Sequence, residues 1–329
     1  MSSRVVVITG ATAGVGRATA HAFARRGWRV ALVARGHTGL DATQREVAAL
    51  GGTALALVAD VADEHTVDRA ADTVAATWGG IDVWINNAMA TVYGPFVDVP
   101  PEDFRRATDV TYLGAVWGTR AALRHMRVRD RGVIVQIGSA LAYRSIPLQA
   151  AYCGAKSALR GYTDAVRCEL LHDGSHIHLT SVHLSAFNTP QFEWGRSLLS
   201  APPRPMGKVF QPEVAAEAIY WASQQRRREV WVGVPAVQAI LGTRMIPGLL
   251  DRLLARRGYT GQQGPGTRPP QQPDNLYEPV ERDAGTHGRF DAEAHGASLQ
   301  MTLNRQRGPL ALGLLALAVL LHAARRRGR

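Results

Sequence analysis

The sequence predicts an α/β protein built on a doubly wound parallel sheet with helices on both faces, and three observations carry that prediction. Short β-branched runs alternate with helix-length stretches through the first three-quarters of the chain. The runs are apolar at successive positions rather than every second one, so both faces of each strand are to be buried, as in a parallel sheet. The chain is also of suitable size. Its 329 residues, 46% hydrophobic and 20% charged, hold one large globular domain with extensions.

The strand runs fall at Arg4–Thr9, Trp28–Ala34, Thr53–Ala59, Ile81–Asn86, Gly132–Gly138, His176–His183 and Glu229–Gly233. Helical stretches between them include Gly14–Arg26, Asp63–Trp78, Pro101–Met126, Ala150–Leu171 and Pro212–Gln225. Right-handed crossovers between such elements give a Rossmann-like sheet, and residues 1–258 form one domain. Composition changes after Gly258. Residues 259–308 read as a Pro/Gly-rich linker or a surface strap: Gly261–Asp274 is rich in Gly, Gln and Pro, while Asn275–Phe290 spaces Leu276, Tyr277, Val280 and Phe290. Residues 309–329 are an apolar helix with a basic tail. Pro309–Ala324 carries no charge and is flanked by arginines. Its sixteen residues reach ~24 Å as a helix against a ~30 Å hydrocarbon core, and flanking arginines can snorkel. We expect a C-terminal membrane anchor on a cytoplasmic catalytic domain; a buried or oligomer-forming helix is the alternative reading.

Bulk charge excludes little by itself. Of the formal +11, six charges are arginines within residues 305–329, and no basic stripe interleaved with aromatics appears, so no nucleic-acid partner is expected. Cys153 and Cys168 form no C-x-x-C pair, and the histidines lack ligand spacing, so neither a disulfide framework nor a metal site is expected. Met1 to Arg4 leads straight into a strand, without the pattern of a signal peptide.

The first strand runs into Thr9-Gly10-Ala11-Thr12-Ala13-Gly14-Val15-Gly16-Arg17. Glycines at 10, 14 and 16 let backbone approach a pyrophosphate closely, and the helix that follows offers N–H donors, so Gly10, Thr12, Gly14, Val15 and Gly16 are candidate cofactor contacts. Tyr152-Cys153-Gly154-Ala155-Lys156 lies on a helix, where side chains four apart share a face. An ammonium beside a phenol favours phenolate and is expected to lower the phenol pKa toward neutrality. Ser139 ends the fifth strand at the sheet's carboxyl edge, where ligands bind in such folds.

The Thr-Gly-x-x-x-Gly-x-Gly spacing, with Ser139 thirteen residues before Tyr152 and Lys156 four after it, resembles the short-chain dehydrogenase/reductase family in its compact single-domain form, over roughly residues 4–235. The resemblance implies a nicotinamide-dependent oxidoreductase interconverting a carbonyl and an alcohol. It assigns Tyr152 as acid or base, Lys156 to the ribose and Ser139 to the substrate oxygen. It also places Asp60 and Val61 at the adenine, Asn87 and Ala88 (within Asn86-Asn87-Ala88-Met89) beside the cofactor, and Thr189 at the nicotinamide carboxamide. Met89 stands where the family has glycine, Thr111 where it has the asparagine that holds a water near the lysine, and Leu184-Ser185 where it has Pro-Gly. The second strand ends Val33-Ala34-Arg35-Gly36 with no acid, and Arg35 suits a 2′-phosphate, so NADP is expected ahead of NAD. Residues Ala186–Phe210 read as an apolar lid over a small hydrophobic carbonyl or alcohol. The family commonly dimerises through the helices Pro101–Met126 and Ala150–Leu171, which implies a homo-oligomer. A protein that binds NADP as a sensor or scaffold without turnover is the alternative.

Overall fold

Strand β1 (Val5–Thr9) shows how the layers arise. Val5 and Val7 enter one core while Val6 and Ile8 enter the other, because successive side chains point to opposite faces. The computed structural model describes residues 3–269 and 272–307. In chain order, β1 is followed by α1 (Gly14–Ala24), β2 (Arg29–Ala34), α2 (His37–Ala49), β3 (Thr53–Val58), α3 (Glu64–Trp78) and β4 (Val83–Asn86). Next come α4 (Pro101–Thr108), α5 (Gly114–Met126), β5 (Val133–Ser139), α6 (Ala150–His172), β6 (His178–Leu184) and the single turn α7 (Gln191–Trp194). The remainder is α8 (Pro212–Ser223), β7 (Glu229–Val232), α9 (Val234–Met245), α10 (Pro247–Arg257) and α11 (Leu299–Arg305).

The seven strands lie in the order β7-β6-β5-β4-β1-β2-β3, every neighbouring pair parallel. The order reverses between β1 and β4, so a crevice opens beyond their carboxyl ends. One core packs α1, α2 and α8 on the sheet; the other packs α3, α5 and α6 on the opposite face. Each fully buried Val, Leu, Ile or Phe there contributes about 1.5–3 kcal/mol of transfer free energy.

The stretch 101–126, expected to be one helix, is interrupted. Asp109–Leu113 forms a π-type turn between α4 and α5, a break often found near functional sites. Its cause is local. The Thr111 hydroxyl donates to the Ala90 carbonyl at 2.8 Å and accepts the Ala90 N–H at 2.9 Å, drawing the turn onto the loop after β4.

Past α10 the chain runs back across the sheet's carboxyl edge. Leu276 is fully buried in the core with α3 and α5, and Phe290 packs against Phe192 of α7. The expected apolar segment 309–324 lies outside the described residues. Among the described residues, no helix is long and apolar enough to cross a membrane.

Candidate active site

The glycine loop is built so that side chains are excluded from it. Gly10 and Gly14 have φ of +64° and +54°, which L side chains rarely adopt. A Cβ on Gly16 would lie 2.0 Å from the Gly10 carbonyl oxygen, and one on Gly10 would lie 2.8 Å from Ala88 Cα. Asn87 ties loop to sheet, its Nδ2 donating to the Thr9 and Gly10 carbonyls at 3.0 and 3.1 Å. The Thr9 hydroxyl accepts the Asn87 and Ala88 amides. The Val15 and Gly16 amides, at the start of α1, have no hydrogen-bond partner among the described residues. That cradle of unpaired amides fits a dinucleotide pyrophosphate.

Two adjoining cavities form a groove along the carboxyl edge. The larger, about 460 Å³, is lined by the glycine loop, Ser139, Tyr152, Lys156, Thr189 and the lid aromatics Phe187, Phe192 and Trp194. The smaller, about 130 Å³, is lined by Thr12, Arg35, Asp60, Val61 and Met89, and closed by Asn275, Pro279, Val280 and Arg282 of the strap. Gly10, Thr12, Ala88 and Met89 border both. The expected nucleotide and chemical groups thus share one groove.

Ser139 ends β5 and caps the turn that follows, its Oγ accepting the Leu141 N–H at 3.1 Å. With that amide as donor, the hydroxyl proton remains available for donation. Lys156 is 3% exposed and donates from Nζ to the Ile137 carbonyl at 2.6 Å. Burial pushes its pKa down to about 8. Nζ lies 5.6 Å from the Tyr152 ring centroid, as the i, i+4 spacing dictates.

Burial raises the Tyr152 pKa above the ordinary phenol value, with the nearby Ser139 hydroxyl pulling it back. The lowering expected from Lys156 and the nicotinamide ring refers to the cofactor-bound site; here the ammonium is turned to the Ile137 carbonyl. The phenol is therefore protonated at neutral pH.

Other expected groups have specific partners. The Thr111 hydroxyl has its single proton committed to Ala90. The Asp60 carboxylate pairs with Arg106 and accepts the Ala62 N–H at 3.0 Å. Thr189 packs on Gly14, where a Cβ would lie 3.0 Å from its Cγ2. Arg35 donates to the strap carbonyls of Asn275, Leu276 (3.4 Å) and Tyr277 (2.5 Å), with Asp60 at 3.9 Å.

The strap supplies groups that sequence reasoning did not place at the site. The Gly285 carbonyl accepts the Gly14 N–H at 3.1 Å, and Asp283 pairs with the buried Arg17 at 2.5 Å. Arg282 pairs with Glu193 at 2.6 Å and stacks over Trp194, knitting strap to lid. The spaced apolar residues Leu276 and Phe290 were the available signal; the polar ones between them carried none.

With this geometry in view, the likenesses to known proteins become specific. Residues 4–196 match the model of the short chain dehydrogenase family. An oxidoreductase of Bacillus subtilis, YxnA, is 33% identical over 291 residues, covering 88% of this chain and 81% of its own. The dehydrogenase/reductase SDR family member 7B of Bos taurus is 31% identical over 77% of this chain and 81% of its own. Among solved structures, a short-chain dehydrogenase from Streptomyces avermitilis superposes with a TM-score of 0.64 at 29% identity, covering 78% of this chain and 95% of its own. A metagenomic short-chain oxidoreductase in complex with NADP gives 0.60 at 26% identity, covering 70% and 97%. The chain belongs to the short chain dehydrogenase family and is an NAD(P)-dependent oxidoreductase of that family.

Proposed function

We propose that this enzyme interconverts a hydrophobic aldehyde or ketone and its alcohol, with Tyr152 moving the proton. The observation that carries the reading is the convergence of Ser139, Tyr152 and Lys156 on the cavity that the glycine loop also borders. When bound there, the nicotinamide supplies or takes the hydride. In reduction, the Ser139 hydroxyl donates a hydrogen bond to the carbonyl oxygen, and the Tyr152 Oη–H gives up its proton as negative charge grows on that oxygen. In oxidation the same phenolate takes the alcohol proton. Burial further favours the protonated phenol, which is the form that donates.

Lys156 would leave the Ile137 carbonyl to hold the nicotinamide ribose and, once beside the phenol, favour phenolate. Thr111 is a positioning residue, clamping Ala90 at the end of the segment that carries Asn87 and Ala88. Arg35 is the basic group at the β2 edge suited to a 2′-phosphate, and the NADP-bound neighbours support NADP(H) as the cofactor. The aromatic walls from Phe187, Phe192 and Trp194, with Met206 and Leu254, support an apolar substrate.

The test is nicotinamide absorbance with a panel of aliphatic and aromatic aldehydes and ketones, wild type against Tyr152→Phe. Turnover by wild type, with a loss of about 10²–10⁴ in the variant, is expected. A wild type that binds the cofactor yet turns over nothing would favour a sensor instead.

A further inference from the structure

The strap sets an acid at the rim of the smaller cavity, beside Gly36. Glu281 Oε1 accepts the His37 N–H at 3.1 Å and Oε2 accepts the Thr38 N–H at 3.0 Å, the two amides that open α2. The strap is pressed close there: a Cβ on Gly36 would lie 3.3 Å from Pro279 Cβ and 3.4 Å from Glu281 Oε1. The Thr38 amide holds the Glu281 carboxyl below the usual carboxylate range. Next to it, Arg35 spends its guanidinium on the carbonyls of residues 275–277.

In this fold, the group at the end of β2 reads the adenosine ribose. An acid there accepts from a 2′-hydroxyl and repels a 2′-phosphate, and an arginine does the reverse. β2 of this chain ends without an acid, but the strap brings one in from 244 residues away. Position and sign both matter. A second anion placed beside His37 and Thr38 meets the Glu281 charge and competes for the same amide donors.

We propose that Glu281 is a cofactor-specificity residue: seated on the first turn of α2, it selectively weakens binding of the 2′-phosphate and offsets Arg35, so that NADP(H) binds only as Glu281 vacates those amides. This rests on the dinucleotide reading above. NAD(H), with a neutral hydroxyl at that position, binds with Glu281 in place. The strap can hold this post because it is anchored on either side. Leu276 is buried in the core, and Arg106 Nε donates to its carbonyl at 3.0 Å. Beyond Glu281, Asp283 pairs with Arg17 and Gly285 bonds Gly14.

The experiment is calorimetric titration of the full-length chain with 2′,5′-ADP, 5′-AMP, NADPH and NADH, for wild type, Glu281→Gln and Glu281→Ala. Both variants are expected to bind 2′,5′-ADP and NADPH about tenfold more tightly, with 5′-AMP and NADH nearly unchanged. Added salt should narrow the gap between wild type and Glu281→Gln, since the opposition is between charges. An unchanged ratio of 2′,5′-ADP to 5′-AMP affinity overturns the proposal. So does an equal gain for all four ligands, which would make the strap a general obstruction. If wild type binds none of the four, the dinucleotide reading falls and this one with it; if it binds them but the variants do not alter the ratio, only this proposal falls.

Discussion

Lys156 shows how far one buried side chain is bent toward function. Its ammonium is held in the interior by one carbonyl hydrogen bond, with its pKa pushed down to about 8 from an ordinary 10.5. Below pH 8 both folded and unfolded chains carry the proton, and the folded one bears the full cost of burying it. Between pH 8 and 10.5 the unfolded chain binds more protons than the folded one, so stability rises with pH across that window. Lys156→Met should therefore be more stable than wild type at pH 7 by roughly 2 kcal/mol, the pKa shift less one hydrogen bond to Ile137. The gap should close toward pH 10. Urea unfolding of both proteins at pH 7 and 9.5 measures it, and a constant gap would show that the lysine's charge is not the cause. The proximity of Tyr152 and Lys156 was legible from their spacing on one helix. The burial of the phenol and the turn of Lys156 to the Ile137 carbonyl were not, because both are set by tertiary packing rather than by sequence interval.

Among the elements, the glycine loop was the most legible, since three glycines in a strand-turn-helix context have few other uses. The structure adds which one is least replaceable. Gly16→Ala should abolish dinucleotide binding, because its Cβ would lie 2.0 Å from the Gly10 carbonyl and 2.5 Å from Asn87 Nδ2. Fluorescence titration with NADPH checks this, and retention of wild-type affinity would contradict it. The π-type turn at Asp109–Leu113 was not legible, because a helical apolar period continues through it. Thr111→Val removes both bonds to Ala90 and leaves a buried N–H and carbonyl unpaired, so it should cost about 1–3 kcal/mol in denaturant unfolding. A positioning role would add a fall in cofactor affinity that restoration by Thr111→Ser largely reverses; a purely structural role would leave affinity unmoved. The strap was half legible. Leu276 and Phe290 marked it as able to dock, but Glu281 and Asp283 gave no sign of their partners, because pairings over such separations depend on where the fold lays the segment.

For the whole molecule, one topological feature gathers these parts. The sheet reverses its strand order between β1 and β4, and the groove beyond that point collects the glycine loop, Asn87, Ser139 and the Tyr152–Lys156 face of α6. The alternation of strand and helix in the sequence was enough to anticipate that crevice, and the family motifs were enough to anticipate what lines it. The return of the chain over the crevice was beyond such reading. In the proposed reaction Tyr152 protonates the oxygen of a carbonyl whose carbon receives the cofactor's hydride. Its most direct test follows deuterium from C4 of labelled NADPH into product, for any carbonyl compound the enzyme turns over, in wild type and Tyr152→Phe. Label is expected on the carbinol carbon, formed about 10²–10⁴ more slowly by the variant at unchanged NADPH affinity. Label appearing equally fast without the phenol hydroxyl would contradict it.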